Sequence, residues 1–219
     1  TGSVTASGDT VEVFVMESKT TDPFDGFTYK GRLLPGVFAL DLTVFESPSN
    51  GQLYGVWSQV IPSWASGKQA QALYVAEMDS PTHIKNAGVQ ISHAELSWEK
   101  QSHLIMEGPA ALIRNGKVMV VYSANYFNSA FYTLGMLENT DGNYLNASSW
   151  SKVPDPLFQS STQNGVYSVG HCSFIHLTDG TDWILYHGMN QPGGGARYPR
   201  LQQFTWSADN RPVFGVPVK

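Results

Sequence analysis

Apolar and polar positions alternate along this chain in short runs rich in β-branched and aromatic residues, and Gly, Asn, Asp and Pro punctuate the runs. A period of two puts one face of a strand on a core and the other towards solvent, so the pattern predicts strands rather than helices. Three punctuation points stand out: Asn50-Gly51, Asn115-Gly116 and Asp179-Gly180. A type I′ turn needs positive φ at both central residues, which these pairs tolerate, so each predicts a β-hairpin.

The three turns are 65 and then 64 residues apart, and the flanking segments correspond. Before them lie VFALDLTVFE (37–46), MEGPAALIRN (106–115) and VGHCSFIHLT (169–178). After them come QLYGVWSQ (52–59), KVMVVYSA (117–124) and TDWILYHG (181–188), each ending in small or polar residues. ALYVAEMDS (72–80), FYTLGMLEN (131–139) and RLQQFTWSA (200–208) supply a third strand, and GVQIS (88–92) and WSKVP (150–154) a fourth. Four strands per repeat without an amphipathic helix is the pattern of β-propeller blades. Residues 11–33 correspond to the third and fourth strands of a preceding blade, whose first hairpin is expected before residue 1. At about 64 residues per blade the chain holds about 3.4 blades, against the 4 to 8 of closed propellers. The expected fold is all-β, one N-terminally incomplete propeller domain over residues 1–219.

Composition narrows the function. Charged residues are 14%, hydrophobic residues 42% and aromatics 12%, which excludes disorder, and a net charge of −5 offers no basic footprint for nucleic acid or an anionic membrane. The longest apolar stretches, such as VMVVY at 118–122, are far below the ~20 residues of a membrane helix, and the N-terminus shows no signal-peptide pattern. With one cysteine, Cys172, no intrachain disulfide and no multi-cysteine zinc site is expected. The sequon Asn146-Ala147-Ser148 is consistent with secretion.

Candidate chemistry comes from the first strand of each repeat, which lines the central channel of a propeller. Asp41 is nine residues before Asn50, Glu107 eight before Asn115, and His171 eight before Asp179. Equivalent positions converge on the axis, so these three side chains are expected in one pocket. A carboxylate in an apolar setting is costly unless paired or used, and two carboxyls with separated pKa values are what glycosidic cleavage needs. Glu107, beside Met106 and Pro109, is the better acid; Asp41 either raises its pKa or serves as a base. Trp57, Trp64, Trp98 and Trp150 are read as core residues or as platforms for sugar rings, and the Gly-rich QPGGGARYPR (191–200) as a flexible connection or a lip over the site.

FALDLTVFE, EGPAALIRNGK, SVGHCSFIHLTDGTDWILYH and RYPRLQQFTW, in this order and at blade spacing, resemble consecutive blades of the five-bladed family 43 glycoside hydrolases, above all their α-L-arabinofuranosidase branch. The resemblance implies an extracellular, inverting enzyme acting on terminal arabinofuranosyl groups of plant cell-wall polysaccharide, with no required cofactor and room for a structural calcium. It makes Glu107 the general acid and Asp41 the carboxylate that orients it and tunes its pKa. It makes His171 the channel histidine near a calcium or ordered water, Arg200 the arginine that pairs with the carboxylates, and Phe38 an apolar wall for the pentose. It places the general base in an Asp-Pro motif on the first blade, before residue 1, so that an N-terminal segment is an implied partner; Asp22-Pro23 fits better as an outer loop. A β-xylosidase, an endo-arabinanase and a non-catalytic carbohydrate-binding propeller are the alternatives.

Overall fold

A computed structural model describes residues 2–6, 10–65 and 68–219, with side chains described from 11 to 61 and from 70 onward. Among the described residues sixteen strands form four antiparallel sheets. The first runs β1 (Gly2–Ala6), β2 (Thr10–Ser18), β3 (Phe27–Arg32). The second runs β4 (Ala39–Glu46), β5 (Leu53–Ala65), β6 (Lys68–Ser80), β7 (His83–Ile84), with β8 (Val89–Ser92) also on β6. β9 (Met106–Arg114), β10 (Lys117–Ala124), β11 (Thr133–Asn139) and β12 (Trp150–Lys152) make the third. β13 (Tyr167–His176), β14 (Asp182–Met189), β15 (Arg197–Trp206) and β16 (Pro212–Val213) make the fourth. The sequence repeat is therefore the sheet, and each sheet is a propeller blade. The first blade differs from expectation by one strand: Gly2–Ala6 pairs with Thr10–Phe14 through backbone bonds, which the polar SVTASGDT does not announce by alternation.

The core lies between successive blades, in three apolar clusters. Val13 and Leu33 meet Ala39, Leu42, Trp57 and Met78 between the first and second. Phe45, Val56 and Leu73 meet Met106, Val118, Val120 and Tyr122 between the second and third. Met119, Val121 and Met136 meet Ile184, Tyr186 and Phe204 between the third and fourth. Strand β10 shows why VMVVY is apolar without a break: alternate residues face opposite neighbours, and all are fully buried. Each such side chain stabilises the fold by roughly 1.5–3 kcal/mol.

Of the three hairpins, only Asn115-Gly116 is the predicted two-residue turn, with φ of 49° and 79° and Arg114 facing Lys117. In the other two only the glycine is left-handed, Gly51 at 74° and Gly180 at 85°. There the loops are longer, closed by Ser47 and Gln52 and by Leu177 and Thr181. Asn50 and Asp179 instead use their carboxyl or amide oxygens to accept from backbone N–H groups two residues on, so the preceding residue is a local cap.

Candidate active site

The innermost strands β4, β9 and β13 lie side by side, and all three carry a β-bulge near the N-terminal end. In β4, Asp41 and Leu42 together oppose Trp57; in β9, Gly108 and Pro109 oppose Tyr122; in β13, His171 and Cys172 oppose Tyr186. The first residue of each bulge is left-handed, with φ of 57° at Asp41, 57° at Gly108 and 50° at His171. Each facing aromatic is at most 1% exposed. A bulge re-aims a side chain and interrupts pairing, and three in register aim three positions into one space. The triplets 41–43, 108–110 and 171–173, with Val13, line a cavity of about 310 Å3.

The register corrects the spacing argument by one residue. Asp41 and His171 are equivalent, but their counterpart in β9 is Gly108, and Glu107 stands one position earlier, opposite Ser123. Counting back from the turns hides this, because the loops differ in length. The site nonetheless joins up. The Gly108 N–H donates to Asp41 Oδ2 at 3.1 Å, and His171 Nε2 lies 3.9 Å from Asp41 Oδ1. Glycine eases the packing at 108: a Cβ there would sit 3.1 Å from the His171 ring, on a left-handed backbone.

Burial raises the Glu107 pKa to about 7. The Tyr132 hydroxyl, which donates to Oε1 at 2.9 Å, opposes that rise; the charge of Asp41 reinforces it, and Arg197 opposes it. An acid that still holds its proton near neutrality, yet loses it readily, is suited to protonating a leaving group. Tyr132 itself is 1% exposed, and burial holds its pKa far above the ordinary phenol range. One face of its ring lies so close to Gly170 that a Cβ there would be 2.2 Å from the ring. The ring also stacks on His187 at 5.5 Å and 9°. Burial, then Arg197 and His171, depress the His187 pKa to about 4, so this imidazole is neutral at ordinary pH.

Other expected residues are placed as follows. Arg200 is turned away from the carboxylates: it donates to Asn190 Oδ1 at 2.6 Å and to the Val218 carbonyl at 3.1 Å. The guanidinium that bears on Glu107 is Arg197, three residues earlier at the end of the Gly-rich loop and 4.6 Å over the Phe127 ring. Phe38 is partly buried, just before β4, and its carbonyl accepts from Val60. Trp57 and Trp150 are core residues, and Trp98 is anchored through Nε1 to the Pro154 carbonyl; the Trp64 side chain lies outside the described residues. Asp22 is exposed in the β2–β3 loop, where it caps a short 3-10 turn by accepting from Phe24 N–H. Among the described residues no three His, Cys, Asp or Glu side chains converge as a metal site. Among the described residues the carboxylate paired with His171 is Asp41, with an oxygen already engaged by Gly108, a set short of the six to eight oxygens calcium takes. Sequence reasoning missed Tyr132, Ser123, His187 and Arg197. The only signal was the small or polar ending of each second strand, which holds Ser123 and His187 just after the aromatic that faces the bulge.

Residues 1–212 match the model of the glycosyl hydrolases family 43. The chain is 36% identical over 95% of its length to an extracellular exo-α-(1→5)-L-arabinofuranosidase of Streptomyces avermitilis, covering 44% of that protein. It is 34% identical, again over 95% of its length, to α-L-arabinofuranosidase 43 of Humicola insolens, covering 45% of it. The chain thus spans somewhat under half of these relatives. Among solved structures it superposes on an α-L-arabinofuranosidase from Lactobacillus brevis with a TM-score of 0.84 and 34% identity, over 95% of this chain and 67% of that one. With three bulged inner strands around one cavity and a family match along nearly its whole length, the chain belongs to glycosyl hydrolase family 43 and carries blades of its five-bladed propeller.

Proposed function

We propose that the protein carrying this chain is an extracellular glycosidase that removes terminal α-L-arabinofuranosyl groups from plant cell-wall arabinan or arabinoxylan with inversion. The observation that carries this reading is Glu107: a partly buried carboxyl on an innermost strand, with its pKa raised by burial to about 7, beside Asp41. The relatives at 34–36% identity named as arabinofuranosidases support the substrate, and two relatives named extracellular support secretion. Glu107 is the general acid, giving its proton to the departing glycosidic oxygen. Asp41 is the modulator, holding the Gly108 backbone and keeping negative charge near the acid. Inversion also needs a base that activates water on the opposite face of the sugar, with the two carboxyls ~6.5–9.5 Å apart. That role falls to none of the residues assigned here. His171 and Phe38 flank the glycone, and Arg197 supplies the positive charge that was expected of Arg200.

The test is hydrolysis of arabinan, arabinoxylan and an aryl α-L-arabinofuranoside by the full-length protein and its Glu107→Gln variant, with anomeric configuration followed by NMR. The expected outcome is release of arabinose with inverted configuration, and a loss of about 10²–10⁴-fold in kcat on the polysaccharides in the variant. Release of xylose, endo-cleavage, or an unchanged rate in Glu107→Gln overturns the assignment.

A further inference from the structure

The tyrosine that touches the acid is influenced by a buried serine whose own hydrogen bonding is set by a backbone N–H. The His171 backbone N–H donates to Ser123 Oγ at 2.8 Å. A backbone N–H is only ever a donor, so Ser123 receives there. Ser123 is fully buried with its oxygen already taken by that N–H, and its hydroxyl acts on the Tyr132 phenol in the sense that favours the charged form, as a nearby donor does. Tyr132 Oη gives its own hydrogen to Glu107 Oε1 at 2.9 Å. The groups come from three strands of two blades: β13 gives the N–H, β10 the serine, β9 the glutamate. The tyrosine just ahead of β11 joins them, its ring held between Gly170 and the His187 imidazole.

We infer that Ser123 and Tyr132 are positioning residues that make Oε1 of Glu107 a permanent acceptor, so that the proton available for transfer resides on Oε2. A carboxylic acid has two oxygens on which its proton can sit. An acid that must deliver to one glycosidic oxygen loses effectiveness whenever the proton is on the wrong one. A donor fixed on Oε1 removes that choice. The bulge serves the same end: His171 is the left-handed first residue of the β13 bulge, and its N–H is aimed at Ser123 rather than into the β13–β14 ladder. The step stays balanced. As the C–O bond breaks, the proton on Oε2 passes to the leaving oxygen, and the charge left on Glu107 is met at Oε1 by the Tyr132 hydroxyl.

This inference rests on Glu107 being the acid, and the experiment separates the two. Tyr132→Phe keeps the ring, its stacking and its packing while removing the donor; Ser123→Ala keeps Tyr132 but leaves its hydroxyl free to turn. The ionisable groups bearing on Glu107 are Asp41 from β4, Arg197 from β15 and Tyr132, with His171 of β13 beside Asp41. All but Tyr132 stay in place in both variants. In the full-length protein, Tyr132→Phe is expected to lower kcat about 10- to 100-fold on an alkyl arabinofuranoside, whose leaving group needs the proton. On a dinitrophenyl arabinofuranoside, whose leaving group does not, the change is under about threefold. Because the phenol stabilises the carboxylate, its loss raises the Glu107 pKa, and the alkaline limb of kcat/KM moves to higher pH. Ser123→Ala shifts both readouts the same way by less. A wild-type limb and equal losses on the two substrates in Tyr132→Phe overturn the inference. If Glu107→Gln itself turns over the alkyl substrate at the wild-type rate, the acid assignment has failed instead.

Discussion

Glu107 and Glu138 sit in the same blade, on β9 and β11, and both are largely withdrawn from water, yet their chemistry diverges. At Glu138 burial alone would raise the pKa, but Arg211 and Lys117 overcome it and hold the carboxyl below its ordinary value. Lys117 Nζ lies 2.8 Å from Oε1, and Arg211 embraces both oxygens through Nε and Nη2. At Glu107 the contacting donor is a neutral phenol, and the one cation that bears on it, Arg197, ranks behind burial, Tyr132 and Asp41. The lesson is local: the cations in contact separate a glutamate held as a charged strut from one whose carboxyl keeps its proton towards neutrality. The fully buried Glu99 is likewise well partnered, with Lys152 at 3.0 Å, the Tyr122 hydroxyl at 2.6 Å and two backbone N–H groups on one oxygen.

The contrast can be broken from the strut's side first. Glu138→Ala leaves Lys117 and Arg211 facing each other without their anion, and the expected loss is about 3–5 kcal/mol by urea unfolding, with activity of the folded protein retained. A loss under about 1 kcal/mol would show the triad to be ornamental. Glu107→Gln goes the other way. A folded pKa of about 7 against an ordinary 4.5 means that Glu107 favours the native state below pH 4.5 and withdraws that support as pH rises through 7. The variant is therefore expected to match the wild type at pH 4 and to exceed it by up to roughly 3 kcal/mol at pH 8. Glu138 has the opposite sign: its contribution is present above its ordinary pKa and is lost as pH falls through the lower folded value. Glu138→Gln should accordingly flatten the acid side of the stability profile and leave the alkaline side unchanged in slope.

Smaller effects sharpen the picture. Gly108→Ala puts a methyl against the His171 ring on a left-handed backbone, at a cost of about 1–3 kcal/mol. It should also displace the N–H that Asp41 accepts, so the alkaline limb of activity is expected to move along with Tm. The smallest change is expected of Arg211→Ala, about 1 kcal/mol, because that side chain is partly exposed and Lys117 still holds Glu138.

Much of the architecture was legible because both faces of most strands are buried between blades, which writes long apolar runs such as VMVVY and repeats them at blade spacing. For the same reason Asp41 and His171 line one cavity, as the repeat suggests, while Glu107 stands one position before the cavity-lining Gly108, within reach of the Asp41 charge. What escaped was anything that depends on a bulge. An extra residue on one strand shifts the count by one without changing the hydrophobic pattern, so Glu107 was set equivalent to Asp41 when Gly108 is. Arg197 and Arg200 flank a Tyr-Pro step, and nothing in their spacing says which one bears on the acid. Tyr132 is 25 residues from Glu107 and reaches it only through the β10–β11 connection.

The aromatic that plugs each bulge has a consequence for how such a site can change over time. Because Trp57, Tyr122 and Tyr186 carry the packing, the residue aimed into the channel contributes little to holding its blade together. Aspartate, glycine and histidine occupy the same slot in three neighbouring blades on nearly the same backbone. The slot is thus a socket whose occupant can be exchanged without rebuilding the scaffold, so new specificities can be explored one blade at a time.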